Sequence, residues 1–134
     1  MLAARDMAQE RQRLRILVVD DNKDACHTLA ALLNLMGHQA TCITDPRNAV
    51  RAALDTRPQL AFLDLGMPHI DGWTLAEQLR KHFDYEALRL VALTGWGQFD
   101  DRRRSGRAGF DAHLVKPAEL QLIESILATL THRR

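Results

Sequence analysis

Cysteine is scarce in this sequence of 134 residues, which has only Cys26 and Cys42. The two form no C-x-x-C pair, and together with the histidines they form no cluster with zinc-ligand spacing. Disulfides are rare in the reducing cytosol. We therefore expect two reduced, partly buried thiols in a cytosolic protein.

Long hydrophobic runs and a dominant charge are also missing. The apolar stretches reach only a handful of residues, far short of the roughly 20 that cross a membrane. Residues 1–13 lack the apolar core of a secretory signal, so we expect a polar N-terminal extension or linker there. The net charge of +1 gives no whole-molecule attraction to nucleic acid or to an anionic membrane. We expect a cytoplasmic protein that binds neither by itself.

Short apolar runs alternate with helical patterns along the chain. Four of these runs are nearly continuous in apolar residues, as in parallel strands covered on both faces, and a weaker fifth is typical of an edge strand. A chain of 134 residues is long enough for one core around such a sheet and too short for two. The predicted strands are Ile16–Val19, Gln39–Ile43 (the weaker run), Leu60–Leu63, Leu88–Leu93 and Ala112–Val115.

Helical patterns fill the segments between these strands. Asp45 followed by Pro46 is typical of a helix N-cap with proline at the first helical position. The segment 98–109 has almost no apolar stripe and is predicted helical only because a parallel connection needs a crossover. The alternation predicts an α/β fold with a doubly wound parallel sheet. The other predicted helices cover residues 23–36, 73–82 and 118–130, and the helix after Asp45 ends before Pro58.

Polar residues follow four of the five predicted strands. Ligands of open parallel sheets bind beyond the carboxyl ends of the strands, so we expect these side chains to share one edge. Three carboxylates there would repel each other unless a cation lay among them, and Mg²⁺ prefers carboxylates, water and phosphate oxygens. The residues are Asp20 and Asp21 after the first strand, Asp64 after the third, Thr94 after the fourth and Lys116 after the fifth.

The charges of this predicted site favour phosphoryl chemistry. Three carboxylates, one divalent ion and the Lys116 ammonium sum to zero, and such a site is suited to an incoming phosphoryl group of about −2 charge. A carboxylate can accept that group as an aspartyl-phosphate. The ion, Lys116 and Thr94 would stabilise charge on the transferring oxygens. A single aspartate at a strand end is commonly a helix cap or a solvated side chain, but the full set is not explained in this way.

Four stretches resemble the receiver domain of two-component response regulators: DD at 20–21, FLDLGMPHIDGW at 62–73, ALTGWG at 92–97 and AHLVKP at 112–117. The order and spacing of the acid pair, the acceptor Asp, the Thr and the Lys-Pro all match. The resemblance implies a flavodoxin-like fold with strand order 2-1-3-4-5 and five helices, in a receiver domain over residues 14–132. It also implies phosphoryl transfer from a sensor histidine kinase or a histidine phosphotransfer protein, and a downstream protein target or attached domain.

The resemblance gives each residue of the predicted site a role. Asp64 is expected to be the phosphoacceptor, Lys116 to pair with the phosphoryl oxygens and Thr94 to move toward them as a switch. A cis peptide bond before Pro117 is expected to aim Lys116 into the site. The implied ligands of Mg²⁺, with Mn²⁺ as the alternative ion, are Asp21 and Asp64 directly, the backbone carbonyl of Gly66, and Asp20 largely through water.

Two positions depart from the family pattern. The position three residues before the lysine is commonly Tyr or Phe and swings inward on activation, whereas this chain has His113. We expect His113 to report the switch by packing, and the alternative is that its imidazole makes the switch depend on pH. Gly66, two residues after the acceptor, leaves access for water. Unassisted loss of the phosphoryl group is therefore expected not to be unusually slow.

Other functional classes fit only parts of the pattern. A phosphohydrolase of the haloacid-dehalogenase type needs a second Asp two residues after its nucleophile, and this chain has Gly66 there. A degenerate receiver that serves only for docking would not need the complete set of site residues. The basic run at residues 102–104, with Arg107, lacks interleaved aromatic residues, which favours a solvated helix face over a nucleic-acid site.

The expected function is a signalling module and not a metabolic enzyme. It would catalyse only its own phosphoryl transfer and its own dephosphorylation. No output domain is expected after the last predicted helix, over residues 118–130. The sequence therefore predicts either a stand-alone regulator or the receiver of a hybrid sensor kinase.

Overall fold

Five parallel strands form one sheet in the computed structural model, which describes residues 13–95 and 102–131. The strand order is β2-β1-β3-β4-β5, which confirms the predicted flavodoxin-like α/β fold. Nearly all of the predicted extension over residues 1–13 lies outside the described part of the chain. The strands are β1 (Arg15–Val19), β2 (Gln39–Ile43), β3 (Leu60–Asp64), β4 (Arg89–Thr94) and β5 (Ala112–Val115).

Helices connect the strands at the predicted places. Asp45 caps a single 3₁₀ turn, Pro46–Asn48, and the regular helix begins only after it. Of the helix predicted over 98–109, residues 98–101 lie outside the described part. No helix among the described residues is both long and apolar enough to cross a membrane. The helices are α1 (Lys23–Leu35), α2 (Ala49–Thr56), α3 (Gly72–Arg80), α4 (Arg102–Ala108) and α5 (Leu120–Thr131).

The sheet separates two hydrophobic clusters, as continuous apolar strands require. Successive residues of a strand point to opposite faces. In β1, Leu17 contributes to the cluster that includes residues of α2 and α3, and Val18 to the cluster that includes residues of α1 and α5. Both side chains are completely buried. This cover on both faces explains why β1, β3 and β4 carry polar side chains only at their ends.

The strand register brings the carboxyl ends of the strands level with each other. Val19, the last residue of β1, pairs with Leu63. Asp64, the last residue of β3, pairs with Leu93, and Thr94 follows directly. Asp20, Asp64 and Thr94 therefore lie at one edge of the sheet.

Polar contacts hold α4 against α3. The indole Nε1–H of Trp73 donates a 3.0 Å hydrogen bond to the Oγ of Ser105, which is completely buried. The Arg104 guanidinium lies over the Trp73 ring, 4.2 Å from its centroid, and 3.5 Å from the Asp71 carboxylate. The weak apolar stripe of this segment is thus compensated by contacts that periodicity does not reveal.

The expectation of two reduced thiols is wrong, because Cys26 and Cys42 are joined as a disulfide. Their Cα atoms are 5.8 Å apart, within the usual range for this bond. Cys42 pairs with Val18 in the register of β2 on β1, and Cys26 lies in the α1 helix that covers this part of the sheet. Only the folded crossover brings the two residues together, and their spacing in the sequence gives no signal for it.

Candidate functional site

Three carboxylates meet at the carboxyl edge of the sheet. Asp20 and Asp21 follow β1 and Asp64 ends β3, and one oxygen of each lies within 4.8 Å of the others. Asp20 and Asp64 are 1% and 6% exposed, whereas Asp21 is open to solvent. Carboxylates this close repel each other, so the arrangement fits a divalent cation with oxygen ligands.

Lys116 supplies a positive charge to the same cluster. Its Nζ donates a 2.9 Å hydrogen bond to Asp20 Oδ2 and lies 3.4 Å from Asp64 Oδ1. Burial opposes the ammonium charge, but Asp20 and Asp64 outweigh it and raise the pKa of Lys116. The bond between Lys116 and Pro117 is cis, which confirms that prediction. A single cation thus faces two buried carboxylates.

The Asp64 carboxyl is harder to ionise than an ordinary aspartate. Burial raises its pKa to about 7 from an ordinary value of 3.8, and the neighbouring Asp20 contributes in the same direction. Lys116 and a hydrogen bond from the Gly66 backbone N–H act in the opposite direction. A bound divalent ion would displace the proton, because opposite charge favours the carboxylate form.

The Thr94 hydroxyl is a buried polar group, and its surroundings indicate that a bound ligand supplies its hydrogen-bond partner. Its Oγ1 is inaccessible to solvent and has no hydrogen-bond partner among the described residues. An unpaired buried hydroxyl costs roughly 1–3 kcal/mol. Its position at the end of β4, beside the end of β3, fits a group that donates to an oxygen of a ligand bound at Asp64.

Two residues to which the sequence analysis gave no role position the acid cluster. The Asn22 backbone N–H donates a 3.0 Å hydrogen bond to Asp20 Oδ1, and its side chain caps α1 by accepting from Ala25. Gly72 starts α3 so close to β3 that a Cβ there would lie 2.5 Å from the Asp64 carbonyl oxygen. An Asn just before a helical pattern is an N-cap signal that could have identified Asn22.

His113 lies on β5, outside the acid cluster. It pairs with Ala92 in the strand register, and its ring centroid is 6.3 Å from that of Phe110. Its neighbour Leu114 belongs to the cluster with residues of α1 and α5, so alternation places His113 on the opposite face of the sheet. This is the face on which α3 packs.

A cavity of about 330 Å³ opens beside the cluster. Asp20 and Lys116 line it together with residues of α1 that include Leu29 and Leu32. Pro117 and Ala118 complete the wall next to Lys116.

A comparison with protein families agrees with this geometry. Residues 16–128 match the family model of the response regulator receiver domain. The chain belongs to this family. A relative is the transcriptional regulatory protein PrrA of Mycobacterium leprae, which is 35% identical over 120 residues. The match covers 90% of this chain but 51% of PrrA, so this receiver domain spans about half the length of that relative.

Solved structures of receiver domains have the same fold. A two-component response regulator from Clostridium difficile superposes with a TM-score of 0.82 at 23% identity, covering 90% of this chain and 98% of that one. The receiver domain of sensor histidine kinase PA1611 from Pseudomonas aeruginosa PAO1 has a TM-score of 0.77 at 26% identity, with coverage of 90% and 99%. In that PA1611 structure a magnesium ion is coordinated in the active-site cleft.

Proposed function

We propose that this receiver domain accepts a phosphoryl group on Asp64 in a reaction that requires Mg²⁺. The donor is a phosphohistidine of a sensor histidine kinase or of a histidine phosphotransfer protein. The observation that carries the proposal is the convergence of Asp20, Asp21 and Asp64 with Lys116 at one edge of the sheet. Family membership supports the role in two-component signalling.

The acid cluster fits a divalent ion with oxygen ligands. Asp21 and Asp64 would bind Mg²⁺ or Mn²⁺ directly, the Gly66 carbonyl would join them, and Asp20 would act largely through water. Within the described residues this is the one group of three carboxylates close enough for such a site. When bound, the ion supplies positive charge to the oxygens of the transferring group.

The residues around Asp64 suit an in-line phosphoryl transfer. An Asp64 carboxylate oxygen attacks the phosphorus, the P–N bond of the phosphohistidine breaks, and the imidazole leaves with the bonding electron pair. Lys116, now 3.4 Å from Asp64 Oδ1, pairs with one phosphoryl oxygen. The Thr94 hydroxyl, which lacks a partner within the described part of the chain, donates to another. Gly66 has no side chain to hinder water in the later loss of phosphate.

Thr94 and His113 would transmit the structural change that phosphorylation of Asp64 causes. Movement of Thr94 toward the phosphoryl oxygens changes the end of β4, and His113 on the adjacent β5 follows by repacking. The α4 helix, which polar contacts such as the Trp73–Ser105 hydrogen bond hold against α3, is the proposed element that shifts with them. A downstream protein target or an attached domain would read the altered face. This output does not require nucleic-acid binding by the domain.

The proposed protein context is cytoplasmic. Residues 14–132 would form the receiver domain and residues 1–13 a polar extension or linker. The domain would serve either as a stand-alone regulator or as the receiver of a hybrid sensor kinase, as in PA1611. It would act as a signalling module that catalyses only its own phosphoryl transfer and dephosphorylation.

Labelling with a small phosphodonor tests this proposal. The protein is incubated with radiolabelled acetyl phosphate, with and without Mg²⁺, and the bound label is measured. We expect label that requires Mg²⁺ and is absent from Asp64→Asn. Asp55→Asn is the matched control, because Asp55 lies on the exposed side of α2.

Two results would contradict the proposal. Label that persists in Asp64→Asn would place the acceptor elsewhere. Rapid multiple turnover of p-nitrophenyl phosphate would instead favour a phosphohydrolase with an aspartate nucleophile.

A further inference from the structure

The Cys26–Cys42 pair is a chemical site separate from the acid cluster. The disulfide joins α1 to β2, the edge strand of the sheet. Cys26 is completely buried, whereas Cys42 is partly exposed. Thiol–disulfide exchange requires that an attacking group reach one sulfur. Cys42 is therefore the more exposed residue of the pair and the expected point of attack by a small thiol or disulfide.

The surroundings of Cys26 also accommodate the reduced form. Its Sγ lies 3.4 Å from the Val18 carbonyl oxygen and 3.6 Å from the Ile43 carbonyl oxygen. A disulfide sulfur carries no hydrogen, so these contacts become hydrogen bonds only when Cys26 is a thiol, which is a weak donor. A buried thiol at this position thus has acceptors already in place.

We propose that Cys26 and Cys42 are a reversible redox site, at which a low-molecular-weight thiol–disulfide couple opens and closes the cross-link between α1 and β2. In oxidation, the Cys42 thiolate attacks a small disulfide, releases one small thiolate and forms a mixed disulfide. The Cys26 thiolate then attacks the Cys42 sulfur and releases the second small thiolate. Two electrons pass to the small disulfide, and the two protons of the protein thiols go to the released thiolates or to solvent.

The cross-link acts on the edge of the sheet. It closes a loop between residues 16 positions apart, which lowers the entropy of the unfolded chain. The loop contains most of α1 and leads into β2, whose pairing partner in the described part of the chain is β1. Edge elements open locally more easily than central strands. Oxidation should therefore protect α1 and β2 more than it protects β4 and β5.

Controlled redox treatment of the whole chain tests the proposal. The protein is equilibrated with oxidised glutathione or with dithiothreitol, quenched in acid, unfolded and alkylated, and its free thiols are counted by mass spectrometry. We expect no free thiol and a Cys26–Cys42 cross-linked peptide after oxidation, and two free thiols after reduction. The thermal midpoint should be higher in the oxidised form by roughly 5–15 °C. Hydrogen exchange should slow in α1 and β2.

A variant separates the cross-link from other effects of the reagents. In Cys42→Ser the midpoint should be the same after both treatments and should match that of the reduced wild type. Three results for the wild type would overturn the proposal: thiols that resist oxidised glutathione, a glutathione adduct on Cys42 beside a free Cys26, or equal midpoints in both redox states. None of these readouts depends on phosphoryl transfer, so they are independent of the proposed function.

Discussion

Lys116 and Asp20 join two segments that are far apart in the sequence, because Lys116 Nζ donates a 2.9 Å hydrogen bond to Asp20 Oδ2 across 96 positions of the chain. Asp20 is buried, and the neighbouring Asp64 Oδ1 lies 3.4 Å from the same ammonium. Removal of this cation would leave two buried carboxylates facing each other. Lys116 is therefore expected to support the stability of the fold as well as the chemistry of the site.

The substitution Lys116→Met tests the stabilising role. We expect the free energy of unfolding at pH 8 to fall by about 1–3 kcal/mol, because a buried carboxylate without its partner is costly. The loss should shrink at pH 4, where a proton neutralises Asp64. Urea unfolding at the two pH values measures it. Lys81→Met, at an exposed position, is the control, and an equal loss in both variants would refute the argument.

Asp64 should make the protein without divalent ions less stable as the pH rises. Its folded pKa of about 7 lies above the ordinary value of 3.8, so the folded state holds the proton more tightly than the unfolded chain. The cost of ionisation is absent below pH 3.8, grows between pH 4 and 7, and is complete above pH 7. We expect Asp64→Asn to be more stable than the wild type by about 1–3 kcal/mol at pH 8 and equal to it near pH 4.

Mg²⁺ should reverse this order of stability between Asp64→Asn and the wild type. It is expected to raise the thermal midpoint of the wild type and leave that of Asp64→Asn almost unchanged, since binding to the folded state stabilises it. Thermal unfolding with EDTA and with Mg²⁺ checks both effects. Asp55→Asn should behave as the wild type throughout. A wild-type midpoint that does not respond to Mg²⁺ would count against the metal site.

His38 should lower the stability in acid. Burial lowers its pKa from 6.5, and its Nδ1 accepts a 3.1 Å hydrogen bond from the Leu14 backbone N–H. Because the pKa of His38 is lower in the folded protein than in the unfolded chain, its contribution to stability is complete above pH 6.5 and is lost as the pH falls below that value. The pH dependence of Asp64 has the opposite sign, so unfolding is best compared in an Asp64→Asn background. There, His38→Asn should flatten the profile between pH 7 and 5, and the exposed His82→Asn should not.

The Trp73–Ser105 hydrogen bond should control how firmly α4 is held. Ser105→Ala leaves the buried indole N–H without its acceptor, at a cost of about 1–3 kcal/mol. Hydrogen exchange by mass spectrometry should show faster exchange of α4 and little change in β1. Ser125→Ala, on the exposed side of α5, is the matched control. Unchanged exchange of α4 would mean that other contacts hold it.

The sheet was predictable from the sequence because its strands are covered on both faces. Short, continuously apolar runs such as Leu60–Leu63 are typical of buried strands. The helical crossovers between these strands require a parallel arrangement. The convergence of Asp20, Asp64 and Lys116 followed from the same topology. The family resemblance of the site stretches then added the strand order, which the alternation alone leaves open.

Contacts between distant segments were not predictable in this way. Cys26 and Cys42 meet because α1 folds back over the sheet, and no spacing rule describes that approach. The anchoring of α4 depends on a hydrogen bond between Trp73 and Ser105, which an apolar stripe cannot reveal. That the Thr94 hydroxyl has no hydrogen-bond partner among the described residues is known only from its neighbours in space.

Chemical trapping of the acceptor tests the central claim most directly. The protein is incubated with acetyl phosphate and Mg²⁺, treated with borohydride, which reduces an aspartyl-phosphate to homoserine, and digested for peptide mass spectrometry. We predict homoserine at position 64 in the wild type and at no position in Asp64→Asn. Homoserine at position 20 or 21, or none at all after Mg²⁺-dependent labelling, would contradict the assignment of Asp64 as the phosphoacceptor.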